Sequence, residues 1–574
     1  MPDLIIADQL ARWRRQRTAP LILELDLTEG IAEGPPADPV SAVLSMRRPR
    51  VADVLDGLRR ARSDQRVKAL VVKVGGRPIG LATVQEIRRA VEEFGDAGKL
   101  TVAWAETFGE FSAGNLPYYL ATAFDTVFLQ PSGDLGLTGI AMERLFLRGA
   151  LDHLGVDVQV AKRHEYKSAA EQLTERSFSG PAREATERLA ESVVGQLTEA
   201  ISERRRIDPA EVRKLIDRGP FLAEQAHQAG LVDELGYRDE VYARVRKQAG
   251  QDALFLHLAR YQRSRALAER ARRLPNPKQR HVALIYATGP IRRGRSGRGL
   301  MSGGAMGSDT ISAALRAAAD DGGARAIVLR VNSPGGSYVA SDTIWREVVR
   351  ARNAGKPVVV SMGDVAASGG YYISMGADAI VAQPGTVTGS IGVLSGKPVL
   401  GGLLGRAGVT TDSVTEGAHS GMFATTHPFS EEEWALVNDW LDHIYADFTG
   451  KVAAGRRMSA DRVHDLARGR VWTGADALAN GLVDEIGGLD RAAAIARRRA
   501  GLPAAAPLRI YPRAAPLDRL RPLSSGSAAL LPAGLPAALP ALIAEAWGPV
   551  WRLAGQAGLP PYGPLMLPDH WSFD

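Results

Sequence analysis

The chain has 574 residues, room for two to four domains with buried cores, and its 45% hydrophobic and 24% charged content is that of a globular protein. It contains no cysteine, which excludes disulfides, thiolate metal sites and a cysteine nucleophile. The formal charge of +7 is spread along the chain without a basic helix carrying interleaved aromatics, so nucleic acid is not an expected partner, and no cofactor or metal is expected either.

The N-terminal segment, residues 1–20, opens MPDLIIADQLARWRRQR. Its apolar run before the arginines is too short for a signal peptide core or a spanning helix. From Leu21 the chain alternates strand and helix patterns. LILELDLTEGI is followed by the continuous apolar run RVKALVVKV (Arg66–Val74), a pattern suited to a buried parallel strand. A glycine-bearing loop and the helical pattern VQEIRRAVEEFGDAGK come next, then TVAWAE, NLPYYLA and DTVFLQPSGDLGLTG (Asp125–Gly139). After GVDVQVAKRHEYKSA comes PFLAEQAHQAGLVDELG (Pro220–Gly236), and the first repeat ends near Tyr242. Residues 243–280 are charged, read as a helical connector, and end in the breaker LPNPKQR.

The same series then recurs. HVALIYATGPI, ARAIVLRV, SDTIWREVVRARNAGK, PVVVSM, SGGYYIS, DAIVAQPGTVTGSIG and VWTGADALANGLVDEIG match the earlier segments in order. A constant offset of 253 residues relates Tyr118 to Tyr371 and Asp125 to Asp378, so positions compare one for one. The chain is therefore a tandem duplication, with repeats at 21–242 and 281–500. Each is expected to be an α/β domain with mostly parallel strands, right-handed crossovers and flanking helices. The loop 292–309, rich in Gly, Ser and Arg, is expected to be mobile. Residues 501–574 form a Pro/Ala/Leu-rich tail. Its charge-free stretch Pro522–Ala544 carries Pro532, Pro536 and Pro540, which argue against a spanning helix but leave surface contact with a membrane open. The expected location is cytoplasmic or peripheral to a membrane.

The repeats differ where chemistry is concentrated. Lys356–Gly370 (KPVVVSMGDVAASGG) reads as a strand, a small-residue turn and a helix opening at Ser368. Ser368 suits a nucleophile with the N–H of Gly369 as one oxyanion donor, although a bare ASGG is more often a helix cap. Its counterpart in the first repeat is Asn115, the counterpart of Lys167 is Ser420, and that of Ser390 is Leu137. Each repeat thus keeps what the other has lost, as a split Ser–Lys site would. A lysine at ~10.4 must be desolvated or set beside positive charge to act as a base near neutral pH. Lys162, Arg163 and His164 are the nearby candidates for such charge. Between Thr101 and Arg213 the only lysines are Lys162 and Lys167. Ser390 can hydrogen-bond the amine and orient it. The loop NSPGGS (Asn332–Ser337) adds a second oxyanion donor, the N–H of Gly336, with Gly335 beside it.

The ordered set NSPGGS, GDVAASGGYYIS, TGSIG, EYKSA and GLVDEIG resembles the long, duplicated form of signal peptide peptidase A, a Ser–Lys endopeptidase of the ClpP/crotonase superfold. The resemblance covers Leu21–Gly487. It implies Ser368 as nucleophile, Lys167 as general base, Gly369 and Gly336 as oxyanion donors and Ser390 as support for the lysine. It further implies released signal peptides as substrates and a homotetramer with inward-facing active sites. The N-terminal anchor of many family members is not seen in this sequence. Two alternatives stand beside it. A ClpP-like Ser–His–Asp peptidase would use His419 or His427, and a crotonase-like acyl-CoA enzyme would need a carboxylate acid/base and an adenine surface that the sequence does not reveal.

Overall fold

The apolar runs of the first repeat become the centre of a parallel sheet. A computed structural model describes residues 18–35, 48–272, 279–298, 304–512 and 565–566. Strands β1 (Leu21–Asp26), β2 (Val67–Lys73), β3 (Leu100–Ala105) and β4 (Thr126–Leu129) lie side by side in that order, all parallel. Short strands extend both edges, Glu234–Leu235 beside β4 and Leu254–His257 beside β1. The second of these lies in the stretch 243–280 that the sequence reads as a helical connector. LFLH is too short to register as a strand against the helical patterns on either side, and only pairing with β1 makes it one. Helix α1 (Val51–Ser63) buries Val51, Val54, Leu55, Leu58 and Ala61, the stripe that a 3.6-residue period lays on one face. Helices α2 (Leu81–Gly95) and α3 (Asn115–Ala121) follow β2 and β3.

The chain divides into two compact units, and the division does not follow the repeats. Residues 142–189, although part of the first repeat, belong to the unit that holds the second. There they supply helix α4 (Arg148–Leu154) and strand β5 (Asp157–Lys162). The sheet of this unit contains β6 (His281–Thr288) and β7 (Ala324–Ser333). At Pro334 the backbone turns into a two-residue strand, β8 (Gly335–Gly336), ahead of helix α5 (Tyr338–Asn353). Ser337 caps that helix, its hydroxyl accepting from the N–H of Ala340 at 3.4 Å. Strand β9 (Val358–Ala367) leads directly into the one-turn helix α6 (Gly369–Tyr372).

β9 is longer than its β-branched start announces. Its first half pairs with β10 (Ala379–Ala382) and its last residues with β11 (Val387–Gly389). Strand β12 (Leu394–Val399) runs antiparallel to β5, Leu394 opposite Lys162 and Val399 opposite Asp157. The hydrophobic residues Val156, Val158, Leu173 and Leu400 close over that pair. Each such side chain taken fully from water contributes about 1.5–3 kcal/mol. Strands Val471–Thr473, beside β11, Glu485–Ile486 and Leu508–Tyr511 complete the sheet, and its path from Glu485–Ile486 through β10, β9, β7 and β6 to Leu508–Tyr511 repeats that of the first sheet. The fold is thus a tandem α/β duplication, and its edge strands carry the duplication past residue 242 in one repeat and past residue 500 in the other. Parts of the loop 292–309 are strands, Gly297–Arg298 and Gly304–Gly307. The stretch Pro522–Ala544 and residues 1–17 lie outside the described residues.

Candidate active site

Ser368 sits at the junction of β9 and α6 with φ +54° and ψ −115°, a conformation that costs a non-glycine residue on the order of 1–3 kcal/mol. Its N–H donates to Gly389 O at 2.8 Å and its carbonyl accepts from the N–H of Tyr372 at 2.8 Å, which holds the bend from both sides. The side chain caps nothing. It faces Lys167 instead: Nζ stands 2.8 Å from Ser368 Oγ, 3.0 Å from Ser390 Oγ and 3.1 Å from Ser390 O. Lys167 is 1% exposed and both serines are buried. Burial brings the amine's pKa down to about 7. Of the neighbouring groups named from the sequence, Lys162 is engaged on Glu171 and Arg163 on Asp442. Desolvation is the cause, not a nearby positive charge.

Backbone and glycines position the lysine. β5 delivers the segment, Arg163 N–H donates to Val393 O at 2.9 Å, and Tyr166 N–H donates to Arg468 O at 3.1 Å. The lysine stem then passes two glycines that sequence reasoning did not single out. A Cβ on Gly469 would lie 2.4 Å from Lys167 N, and one on Gly392 would lie 3.3 Å from Lys167 Cδ. Gly469 also has φ +86°, which favours glycine independently. A signal for it exists, since Arg-Gly recurs before PFLAEQA in the first repeat and one residue ahead of VWTGADA in the second. Glu165 pairs with Arg468 on the same loop. Ser390 is itself at φ +51°, fixed by its N–H donating to Arg470 O at 2.7 Å.

The two glycine loops meet at the serine. The Cβ that Gly369 lacks would fall 3.1 Å from both Gly335 Cα and Gly336 N, so any side chain there would separate them. Gly335 has φ +105° and Gly336 φ +148°, and the N–H of Gly335 donates to Ser333 Oγ at 3.2 Å. The site therefore offers a strained hydroxyl, an amine poised near neutrality and converging glycine backbone. His419 and His427 are exposed, and the ring of His427 bonds to Pro428 O. Among the described residues no His/Asp/Glu cluster could hold a metal ion.

In the first repeat the same positions are filled differently. Asn115 stands where Ser368 does and is wholly occupied by backbone: Nδ2 donates to Gly139 O at 2.8 Å, and Oδ1 accepts from Thr138 and Gly139 N–H, both at 3.2 Å. Between the corresponding strand and helix, Pro78 and Ile79 occupy the places of Gly335 and Gly336, and proline has no N–H to offer.

Comparison with known proteins bears on this arrangement directly. The model for peptidase family S49 matches residues 93–252 and 350–503. Protease 4 of Salmonella typhi is 34% identical over 459 residues, 78% of this chain and 72% of that protein. Protease 4 of Haemophilus influenzae is 32% identical over 457 residues, 77% of this chain and 71% of that one. The chloroplastic serine protease SPPA of Arabidopsis thaliana is 32% identical over 446 residues, 77% of this chain but 65% of its own length. A duplicated α/β frame with these likenesses is that of a serine protease. The chain belongs to peptidase family S49, whose model it matches once in each repeat.

Proposed function

We propose that the protein hydrolyses peptide bonds with Ser368 as nucleophile, Lys167 as general base, and the N–H groups of Gly369 and Gly336 as donors to the oxyanion. The observation that carries this is the 2.8 Å between Lys167 Nζ and Ser368 Oγ. A neutral amine has two N–H bonds and one lone pair. Here the N–H bonds are matched to Ser390 Oγ and Ser390 O, leaving the lone pair for the Ser368 hydroxyl. As Oγ bonds to the substrate carbonyl carbon, its proton passes to Nζ and the carbonyl electron pair moves onto oxygen, where the two N–H groups receive it. The ammonium, held by Ser390, then protonates the leaving nitrogen as the C–N bond breaks. Water attacks the acyl-serine with the same amine as base, which restores the hydroxyl.

Ser368→Ala and Lys167→Ala are each expected to lower kcat on a chromogenic peptide ester by about 10²–10⁴-fold or more. His419→Ala and His427→Ala are expected to leave it unchanged. Full activity in the lysine variant would end the Ser–Lys reading in favour of a histidine base.

As a serine protease the molecule acts on peptides, and we place apolar peptides, released signal peptides included, among its substrates. In support, a protein of Enterococcus faecium named as a putative signal peptide peptidase SppA is 39% identical over 173 residues, 30% of this chain and half of that protein. No helix among the described residues is long and apolar enough to cross a membrane. Peripheral contact through the Pro/Ala/Leu-rich tail belongs to the same proposal, and co-sedimentation with anionic vesicles is its check.

Self-association is the other part of this reading, with a homotetramer as the expected form. The antiparallel pair of β5 with β12 joins the first repeat's segment to the second's. Shifting both partners by the repeat offset pairs residues 141–146 with 410–415, Glu143 opposite Ser413. Residues 410–415 are exposed, carry no ladder and include Val414, fully open to solvent. Glu143 and Leu145 face outward on the other segment. A second copy would supply the missing partner, and such a head-to-tail joint gives a closed ring when the rotation from copy to copy closes. The chain has no cysteine, so Glu143→Cys and Ser413→Cys on separate chains should crosslink when mixed and oxidised, and neither alone. A monomer in light scattering, with no crosslink on mixing, would remove this part.

A further inference from the structure

Three helices of the unit that holds the active site end at one place. They are α5, which ends at Asn353, α7 (Glu431–Arg456) and α8 (Leu489–Arg499). Their last turns line a cavity of about 660 Å³ together with the loop ahead of β10, and the lining holds Arg352, Arg456, Arg457 and Arg499 against Asp378 and Asp484.

A basic side chain at a helix C-terminus ordinarily serves the orphan carbonyls there. That accounts for two of these arginines. Arg352 Nη1 donates to Gly376 O at 2.9 Å. Arg456 donates to Gly481 O at 3.0 and 3.1 Å and pairs with Asp484 at 2.6 Å. The two acids serve the frame as well, Asp378 accepting from the N–H of Val358 at 2.8 Å and Asp484 from that of Ile380 at 2.7 Å. Arg457 and Arg499 are different. Both are exposed, and neither guanidinium has a hydrogen-bond or ion-pair partner among the described residues. Arg457 is set at the cavity by the left-handed cap of α7, at φ +55°.

The first repeat shows what the frame alone requires. There Arg205 donates to Gly230 O at 2.9 Å and pairs with Asp233, as Arg456 does with Gly481 and Asp484. Around that common pair the letters change. GDAGK (95–99) stands against RNAGK (352–356), and KQAG (247–250) against RRAG (498–501). Gly95, Asp96 and Gln248 therefore occupy the places of Arg352, Asn353 and Arg499. One repeat forms the frame with Arg205 and Arg206 among Asp96, Asp125 and Asp233, and the other surrounds it with an excess of positive charge. Folding does not call for that excess, and an anionic ligand does.

We infer that this cavity binds a phosphate-class dianion, with Arg457 and Arg499 as its charged donors. A guanidinium presents paired N–H groups that match two oxygens of a tetrahedral oxyanion, and two unpaired arginines match two negative charges. The bound group ties the end of α7 to the end of α8. None of these residues belongs to the proposed catalytic set.

The test is isothermal titration of the full chain with pyrophosphate in a phosphate-free buffer. Saturable binding is expected, weakening as salt is raised. Arg457→Gln with Arg499→Gln should weaken it by about 10–100-fold and leave kcat and KM on a chromogenic peptide ester unchanged, because both side chains lie on the surface. Arg457→Lys with Arg499→Lys keeps the charge and loses the paired N–H geometry, so its affinity should fall between, which a loss of fold would not produce. Arg206→Gln, at the matching place in the first repeat, should bind as the parent does. Competition by inorganic phosphate identifies a soluble anion as the source. Retention on phosphatidylcholine vesicles containing phosphatidic acid, lost in the double glutamine variant and reversed by pyrophosphate, identifies a lipid headgroup. Absence of binding to pyrophosphate and to the vesicles, or equal binding by parent and double glutamine variant, overturns the site.

Discussion

Lys167 carries a desolvation penalty at neutral pH. Its pKa of about 7 lies below the ~10.4 of an unfolded lysine, so between these values the unfolded chain binds the extra proton. Stability should therefore rise with pH across that window, by on the order of 4 kcal/mol from this residue alone, and the penalty is fully present below pH 7. Lys167→Met removes the titration. The difference in unfolding free energy between variant and parent should shift in the parent's favour from pH 6 to pH 10, as followed by denaturant unfolding. Activity has the opposite use for the same shift. The base must be neutral in the free enzyme, so kcat/KM should climb about tenfold per pH unit below 7 and level off above it. A profile flat from pH 5 to 9 would contradict an amine base. Ser390 acts through the lysine: Ser390→Ala should lower kcat and displace this pH midpoint, whereas a merely structural loss would leave the midpoint in place.

At the scale of elements, the site depends on how closely separate loops approach one another. β5 is held by β12, and the loop after it runs against Gly469 with no space for a side chain. Gly469→Ala places a methyl group on the Lys167 backbone and a non-glycine residue at φ +86°. It is expected to cost about 1–3 kcal/mol in stability and to reduce kcat by tenfold or more without affecting Ser368 itself. Thermal melting and peptide-ester kinetics read the two effects separately. The elbow at Ser368 is built on the same principle. Strand β9 runs the full ten residues to Ala367 and is clamped between β7 and β11 at its end, so the bend has no freedom to relax. The strain there is sustained by packing around it.

Across the whole molecule the duplication leaves the proposed site in one repeat and its altered counterpart, a relic, in the other. The relic keeps a cavity of about 360 Å³ lined by residues such as Val74, Pro78, Ile79, Asn115 and Leu116. What it lacks is chemistry. Restoring the hydroxyl with Asn115→Ser in a Ser368→Ala background should not restore activity, because the lysine's counterpart in the other repeat is Ser420 and Ile79 stands in the place of Gly336. The variant should instead lose stability by about 1–3 kcal/mol, since the amide of Asn115 ties down Thr138 and Gly139.

The order of segments along the chain was sufficient to recover the tandem α/β architecture, and the differences between repeats singled out Ser368, Lys167 and Ser390. Both are one-dimensional properties: strand and helix periods are local, and a constant offset between copies survives in the letters alone. The cause of the lysine's pKa was open between burial and neighbouring charge, and that is a question of which groups are near in space. The edge strands Leu254–His257 and Leu508–Tyr511 were equally illegible, because four residues with no distinctive period become a strand only when β1 or β6 offers an edge. Gly392 and Gly469 were missed for the same reason. A glycine's necessity lies in what would collide with its absent side chain, and here that is a backbone some three hundred residues away in the second case, brought close by folding alone.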